Sequence, residues 1–211
     1  MTTRTEHRVT SDRGAARPVN DSTSARPWHL LVLLSATVGM VSAGWQLIER
    51  IAYAENADTA SVCDINAVVS CTNVFGQWQS SALGIPNTLV SLPIFAALVA
   101  TAVAALVGSR FGRAYLAGLM GIALFMAAFA TWYSYQSAFV MGAMCLFCTV
   151  GSACVLAAGV GVTRMAAAGR ALGSGRAGTV LALLVDSKSD VIAWSGLILV
   201  NVALLYFGLS F

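Results

Sequence analysis

Long apolar stretches separated by short polar ones set the plan of the chain. Trp28 to Ile48 carries one titratable side chain, His29, at its edge, and Asn87 to Val107 carries none. Ala114 to Thr163 runs for fifty residues without a charge, and Val191 to Phe211 is apolar to its end. About 20 apolar residues cross a bilayer as a helix, so the first, second and last stretches each predict one transmembrane span. The fifty-residue run as one helix would be about 75 Å long, more than twice the hydrocarbon core, so it must reverse. Gly142 places the reversal between Ala138 and Ala143, which makes Ala114 to about Ser137 a third span and Met144 to Thr163 a fourth. Pro86 presets the start of the second span, and Pro93 is a kink point inside it.

The pattern predicts an all-α polytopic membrane protein, a four-helix transmembrane bundle with a fifth transmembrane helix. The expected organisation is a disordered cytoplasmic tail over 1–27, a membrane core over 28–165 with an external loop 49–86, a flexible cytoplasmic connection 166–190 and a last span 191–211. Val74 to Leu83, with Phe75, Trp78 and Leu83 on one side, predicts a short interfacial helix over the bundle. Ala52-Tyr53-Ala54 resembles a signal cleavage site, but the apolar run before it is longer than a signal core, so no cleavage is expected.

Composition agrees: 58% of the 211 residues are hydrophobic and 10% charged. That balance excludes a soluble domain. The 12 Lys and Arg residues flank the spans, apart from Arg50. Their placement is the ordinary flanking of membrane helices and gives no nucleic-acid surface. With the N-terminus inside, every basic loop falls on the cytoplasmic face, and the acidic loop and the C-terminus fall outside the cytoplasmic membrane.

The five cysteines carry the chemistry. Cys145 and Cys148 form a C-x-x-C at the first turn of the fourth span, on one helix face, where the helix N-terminus favours a thiolate. Cys63 and Cys71 lie eight apart on the external loop, on the same side of the membrane and in an oxidising compartment. A loop pair suits a shuttle and a helix pair suits a stationary redox centre, because exchange requires one sulfur to visit another. A loop bridge that only pins the chain is the alternative. Cys154, deeper in the fourth span, reads as a packing residue. A zinc site is disfavoured because the only histidines, His7 and His29, are on the other side.

No dinucleotide, P-loop or histidine motif offers a cofactor seat, which leaves a quinone dissolved in the bilayer as the simple electron acceptor. Asn87, at the start of the second span, is placed to hydrogen-bond a quinone carbonyl or, equally, to cap its helix.

Cys63-Asp64-Ile65-Asn66-Ala67-Val68-Val69-Ser70-Cys71, Val74-Phe75, Gly84-Ile85-Pro86-Asn87 and Cys145-Leu146-Phe147-Cys148 together resemble the vitamin K epoxide reductase family, specifically its bacterial quinone-coupled members. The resemblance covers about residues 28 to 165. It implies a four-helix bundle around a quinone of menaquinone or ubiquinone type. It also implies that Cys63 and Cys71 take electrons from a thioredoxin-like, DsbA-like protein, that Cys71 passes them to Cys145, and that Cys148 reacts with the quinone. Asn87 matches the position that hydrogen-bonds the quinone, and the segment carrying Phe75 and Trp78 looks like the half-helix that covers its pocket.

Two departures shape the expectation. Many relatives carry a fused thioredoxin-like domain, and here the partner is expected to be a separate protein. Ser152 stands where vertebrate members have a tyrosine, so plain quinone reduction in support of disulfide bond formation is expected rather than epoxide reduction. The alternatives are quinone or epoxide as the physiological substrate, and a non-enzymatic membrane scaffold with a structural loop disulfide.

Overall fold

The computed structural model describes residues 22–210. The expected disordered tail therefore lies mostly outside the described residues, and 22–27 belongs to the first helix. Among the described residues seven α-helices follow in order: α1 (Ser22–Glu55), α2 (Cys71–Phe75), α3 (Asn87–Leu106), α4 (Arg113–Gln136), α5 (Leu146–Ala168), α6 (Arg176–Asp186) and α7 (Ser189–Leu209). A 3-10 turn occupies Trp78–Ser81, and a π-helical turn, Ser137–Met141, continues α4. Five helices are long and apolar enough to cross a membrane, which makes this an all-α, multi-pass membrane protein.

The reversal inside the fifty-residue run falls where the sequence places it. Gly142 closes the π-helical turn with φ 64°, a left-handed conformation that a residue without Cβ adopts freely. Three boundaries differ from expectation. The first helix does not stop at Ile48 but runs to Glu55, because Glu49 to Glu55 contains no helix breaker and Asn56 is the first residue to favour a turn. The stretch after Cys71 is not one interfacial helix, since Gly76 ends α2 before the 3-10 turn begins. The connection 166–190 is not irregular throughout. Gly173 and Gly175 mark the turn before α6, whose Leu181 is buried while Val180 and Leu183 face outward.

α1 lies against both α3 and α5, and α4 packs against α5. The shared core is built from Val32, Ala36, Phe95, Leu98, Leu156 and Val162, all almost fully buried. Gly39 lets the Phe95 ring sit against the α1 backbone, since a Cβ there would meet that ring. On the outer faces, Leu34, Val41, Ile48 and Leu199 are exposed, as lipid requires. α7 docks through three polar residues, Asp190, Trp194 and Asn201, whose contacts apolar packing alone would not fix. Arg164 pairs with Asp190 through two hydrogen bonds of 2.7 and 2.9 Å and sits 3.9 Å over the Trp28 ring. Trp194 Nε1 donates to Thr163 Oγ1, and Asn201 accepts from Ser134 Oγ.

Candidate functional site

The loop and the C-x-x-C segment are joined through their backbones. Met144 N–H donates to Val68 C=O at 2.7 Å, and Ser70 N–H donates to Met144 C=O at 3.1 Å, a parallel bridge between Val69 and Met144. This bridge sets two helix starts side by side. Ser70 caps α2 by accepting from Asn73 N–H, so Cys71 opens that helix. Cys145 is the N-cap of α5, its sulfur accepting from Cys148 N–H at 3.4 Å, so Cys148 stands in the first turn of α5.

The sulfurs follow from that register. Cys63 and Cys71 form a disulfide, and Cys145 and Cys148 are free thiols. Cys71 Sγ lies 3.1 Å from Cys145 Sγ, with both residues sealed from solvent. The sulfurs of Cys63, Cys71 and Cys145 lie within 4.8 Å of one another. Two of them share a bond, so the cluster is a disulfide with a thiol beside it rather than three thiolate donors.

Asp64 holds the loop in this position. Its carboxylate accepts from Ser61 N–H, Ser70 Oγ, Thr72 N–H and Thr72 Oγ1, groups that flank both loop cysteines. Partial burial pushes its pKa up, but the hydrogen bonds from Thr72, Ser61 and Ser70 outweigh that and hold it at about 2. Asn66 adds a turn by accepting from Val68 and Val69 N–H.

Beside Cys148 lies a cavity of about 80 Å³, between α1, α3, α4 and α5 and under the loop. Phe75, Phe95, Phe125, Phe129 and Phe147 supply apolar walls. Asn87, Thr88 and Tyr133 line the same space. Among the described residues, Asn87 Oδ1 and Thr88 Oγ1 are buried without a hydrogen-bond partner, a state that proteins rarely leave uncompensated. An aromatic-walled slot with unmatched polar atoms at its rim suits a flat, apolar ring bearing oxygen substituents.

Of the residues singled out from sequence, Cys148, Asn87 and Phe75 line this cavity, and Cys63, Cys71 and Cys145 meet beside it. Trp78 does not line it. That side chain is 66% exposed and packs 6.0 Å from Trp132 on the outer surface, because the 3-10 turn directs it outward. Asn87 Nδ2 donates to Gln79 C=O at 2.8 Å, so the side chain ties its helix start to the covering segment. Cys154 is buried in the apolar core, away from the other sulfurs.

Three residues of the site were assigned no role from the sequence. Gln46 Nε2 reaches Cys148 Sγ at 2.8 Å and Cys145 Sγ at 3.6 Å. Arg50 donates to Phe75 C=O, Ser80 Oγ and Ser81 Oγ and so clamps the covering segment to α1. Tyr133 Oη stands 3.6 Å from Cys148 Sγ. The first two had a signal: Ser42, Gln46 and Arg50 recur every four residues and make a polar stripe on the second half of α1. Tyr133 had none, since an aromatic residue within a span is unremarkable.

A disulfide touching a free thiol is the geometry of thiol-disulfide exchange, and five apolar spans place that exchange in a bilayer. The class is that of membrane thiol oxidoreductases. Within it, residues 30–163 match the model of the Vitamin K epoxide reductase family, and the chain belongs to that family. No curated protein and no solved structure matches the chain.

Proposed function

We propose that the protein oxidises an extracytoplasmic thioredoxin-like, DsbA-like partner and delivers the electrons to a membrane quinone, in support of disulfide bond formation. The observation that carries this reading is the 3.1 Å approach of Cys71 and Cys145, with Cys148 facing the cavity on the other side of the contact. One pair of sulfurs lies toward the loop and one toward the bilayer, so the two can act in series.

The exchange runs as two displacements. The partner's dithiol reduces the loop disulfide and leaves the partner oxidised. The Cys71 thiolate attacks Cys145 Sγ of an oxidised inner pair, so the Cys71–Cys145 bond forms and Cys148 leaves as thiolate. The Cys63 thiolate then attacks Cys71 Sγ, the loop disulfide re-forms, and Cys145 is released as thiolate. Loop bonded and inner pair free is the arrangement this sequence of steps leaves behind.

A bound quinone supplies a two-electron, two-proton acceptor. Thr88 Oγ1 can donate to a carbonyl oxygen of the quinone, Asn87 Oδ1 can accept from a hydroxyl of the quinol, and Phe95, Phe125 and Phe129 exclude water around the ring. Phe125, about half exposed on the outer surface, carries the cavity wall toward lipid, the phase from which a quinone arrives. This orientation puts the cysteine-bearing end and the C-terminus outside the cytoplasmic membrane and the Arg164 end inside, as the placement of basic residues favours.

The test is quinone reduction by the purified protein with a reduced DsbA-type partner. Turnover is expected with the wild type and absent with Cys148→Ser. Turnover retained without Cys148 refutes the assignment.

A further inference from the structure

Gln46 has no part in the displacements above, yet its side chain touches both inner sulfurs. A primary amide nitrogen carries two N–H groups and no acceptor, so the contacts of 2.8 Å to Cys148 Sγ and 3.6 Å to Cys145 Sγ are both donations. The donor is held in place from below. One turn earlier on α1, Ser42 Oγ donates to Phe147 C=O at 3.1 Å and fixes α1 against the first turn of α5. One turn later, Arg50 is anchored on the covering segment. Gln46 therefore faces the start of α5 from a rigid helix.

When the Cys71 thiolate attacks Cys145 Sγ, the Cys145–Cys148 bond breaks and its electron pair leaves on Cys148 Sγ. That atom borders an apolar cavity, where a bare anion is poorly solvated. Donors fixed where charge develops lower the barrier to forming it, because nothing has to reorganise during the step. We infer that Gln46 is a catalytic residue of the relay, an amide donor that stabilises the thiolate leaving on Cys148. The inference rests on the relay reading and deepens it. The other groups around Cys148 that carry or can carry charge are Arg50 on α1, Tyr133 on α4 and Cys145 on its own helix. All three stay in place in the variants below.

The experiment uses the full chain in detergent, with the inner pair reduced and quinone absent. The rate of Cys148 alkylation by iodoacetamide is followed from about pH 5 to 9 by peptide mass spectrometry, a range that brackets ordinary and activated thiols. Gln46→Met keeps the length and loses the donors, and Gln46→Glu keeps the shape and presents a carboxylate. The rate at neutral pH is expected to fall about tenfold in Gln46→Met and further in Gln46→Glu, with the pH midpoint moving up in the same order, as loss of a hydrogen bond to a charged group requires. Variants that titrate with the wild type overturn the role, as does Gln46→Glu reacting faster than Gln46→Met. Quinone turnover by the wild type reports on the relay separately. Its absence refutes the relay and the catalytic assignment together, whereas turnover with unchanged Cys148 titration in the variants refutes Gln46 alone.

Discussion

The two ends of the bundle each bring an arginine into packed surroundings and treat it in opposite ways. Arg164, at one end, meets Asp190 through two hydrogen bonds and lies over Trp28. Arg50, at the cysteine-bearing end, has no carboxylate among the described residues and spends its donors on a backbone carbonyl and two serines. The same contrast extends to neutral groups. Around Arg164, Trp194 and Thr163 satisfy each other, while near Arg50 the atoms Asn87 Oδ1 and Thr88 Oγ1 have no partner. Natural proteins keep unmatched polar groups mainly where something else is to bind, so one end is built for cohesion and the other for chemistry.

The sharpest test of that division is at the sulfurs. Cys145→Ser is expected to abolish quinone reduction by a reduced partner while leaving the thermal unfolding midpoint close to wild type, read from parallel activity and melting measurements. The converse substitution is Asp190→Ala, which strands Arg164 in packed surroundings. Breaking a buried ion pair by removing one partner costs about 3–5 kcal/mol, so the melting midpoint should drop sharply while the turnover of molecules that remain folded changes little.

Asp64 belongs to the chemical end but acts on conformation. Its carboxylate is held at about 2, below the ordinary 3.8, so its contribution is complete above that ordinary value and is lost as pH falls from about 4 toward 2. Reduction of the loop disulfide by a small phosphine should therefore be slow and flat with pH above about 4 and accelerate below it. In Asp64→Asn it should be several-fold faster throughout and without that acid limb. The smallest effect is expected at Thr88→Val, which removes an unpartnered buried hydroxyl. Stability should stay level or rise slightly, because an apolar replacement relieves an unsatisfied group, while KM for quinone rises a few-fold.

Much of this architecture is legible in the chain itself, for identifiable reasons. The spans announce themselves because lipid forbids long polar interruptions, and the need for a turn in the fifty-residue run follows from its length, with Gly142 marking the place. That turn puts Cys145 and Cys148 at a helix start without reference to any structure. Positions fixed by contacts between distant segments are less visible. Nothing in the spacing of Val69 and Met144 foretells the backbone bridge that brings Cys71 onto Cys145. The outward swing of Trp78 depends on a 3-10 turn that an aromatic pattern does not encode. Helix α6 was hidden by the glycines around it, and Gln46 by the apolar company it keeps on α1, although its spacing from Ser42 and Arg50 marks the face that matters.

In the proposed relay, electrons cross from the loop to the helix between Cys71 and Cys145. In a Cys63→Ser, Cys148→Ser double variant, the two sulfurs that would resolve the intermediate are gone, and mild oxidation should accumulate a Cys71–Cys145 disulfide identifiable by peptide mass spectrometry. Recovery of Cys71 and Cys145 as separate free thiols after oxidation, with the variant folded, would contradict the relay.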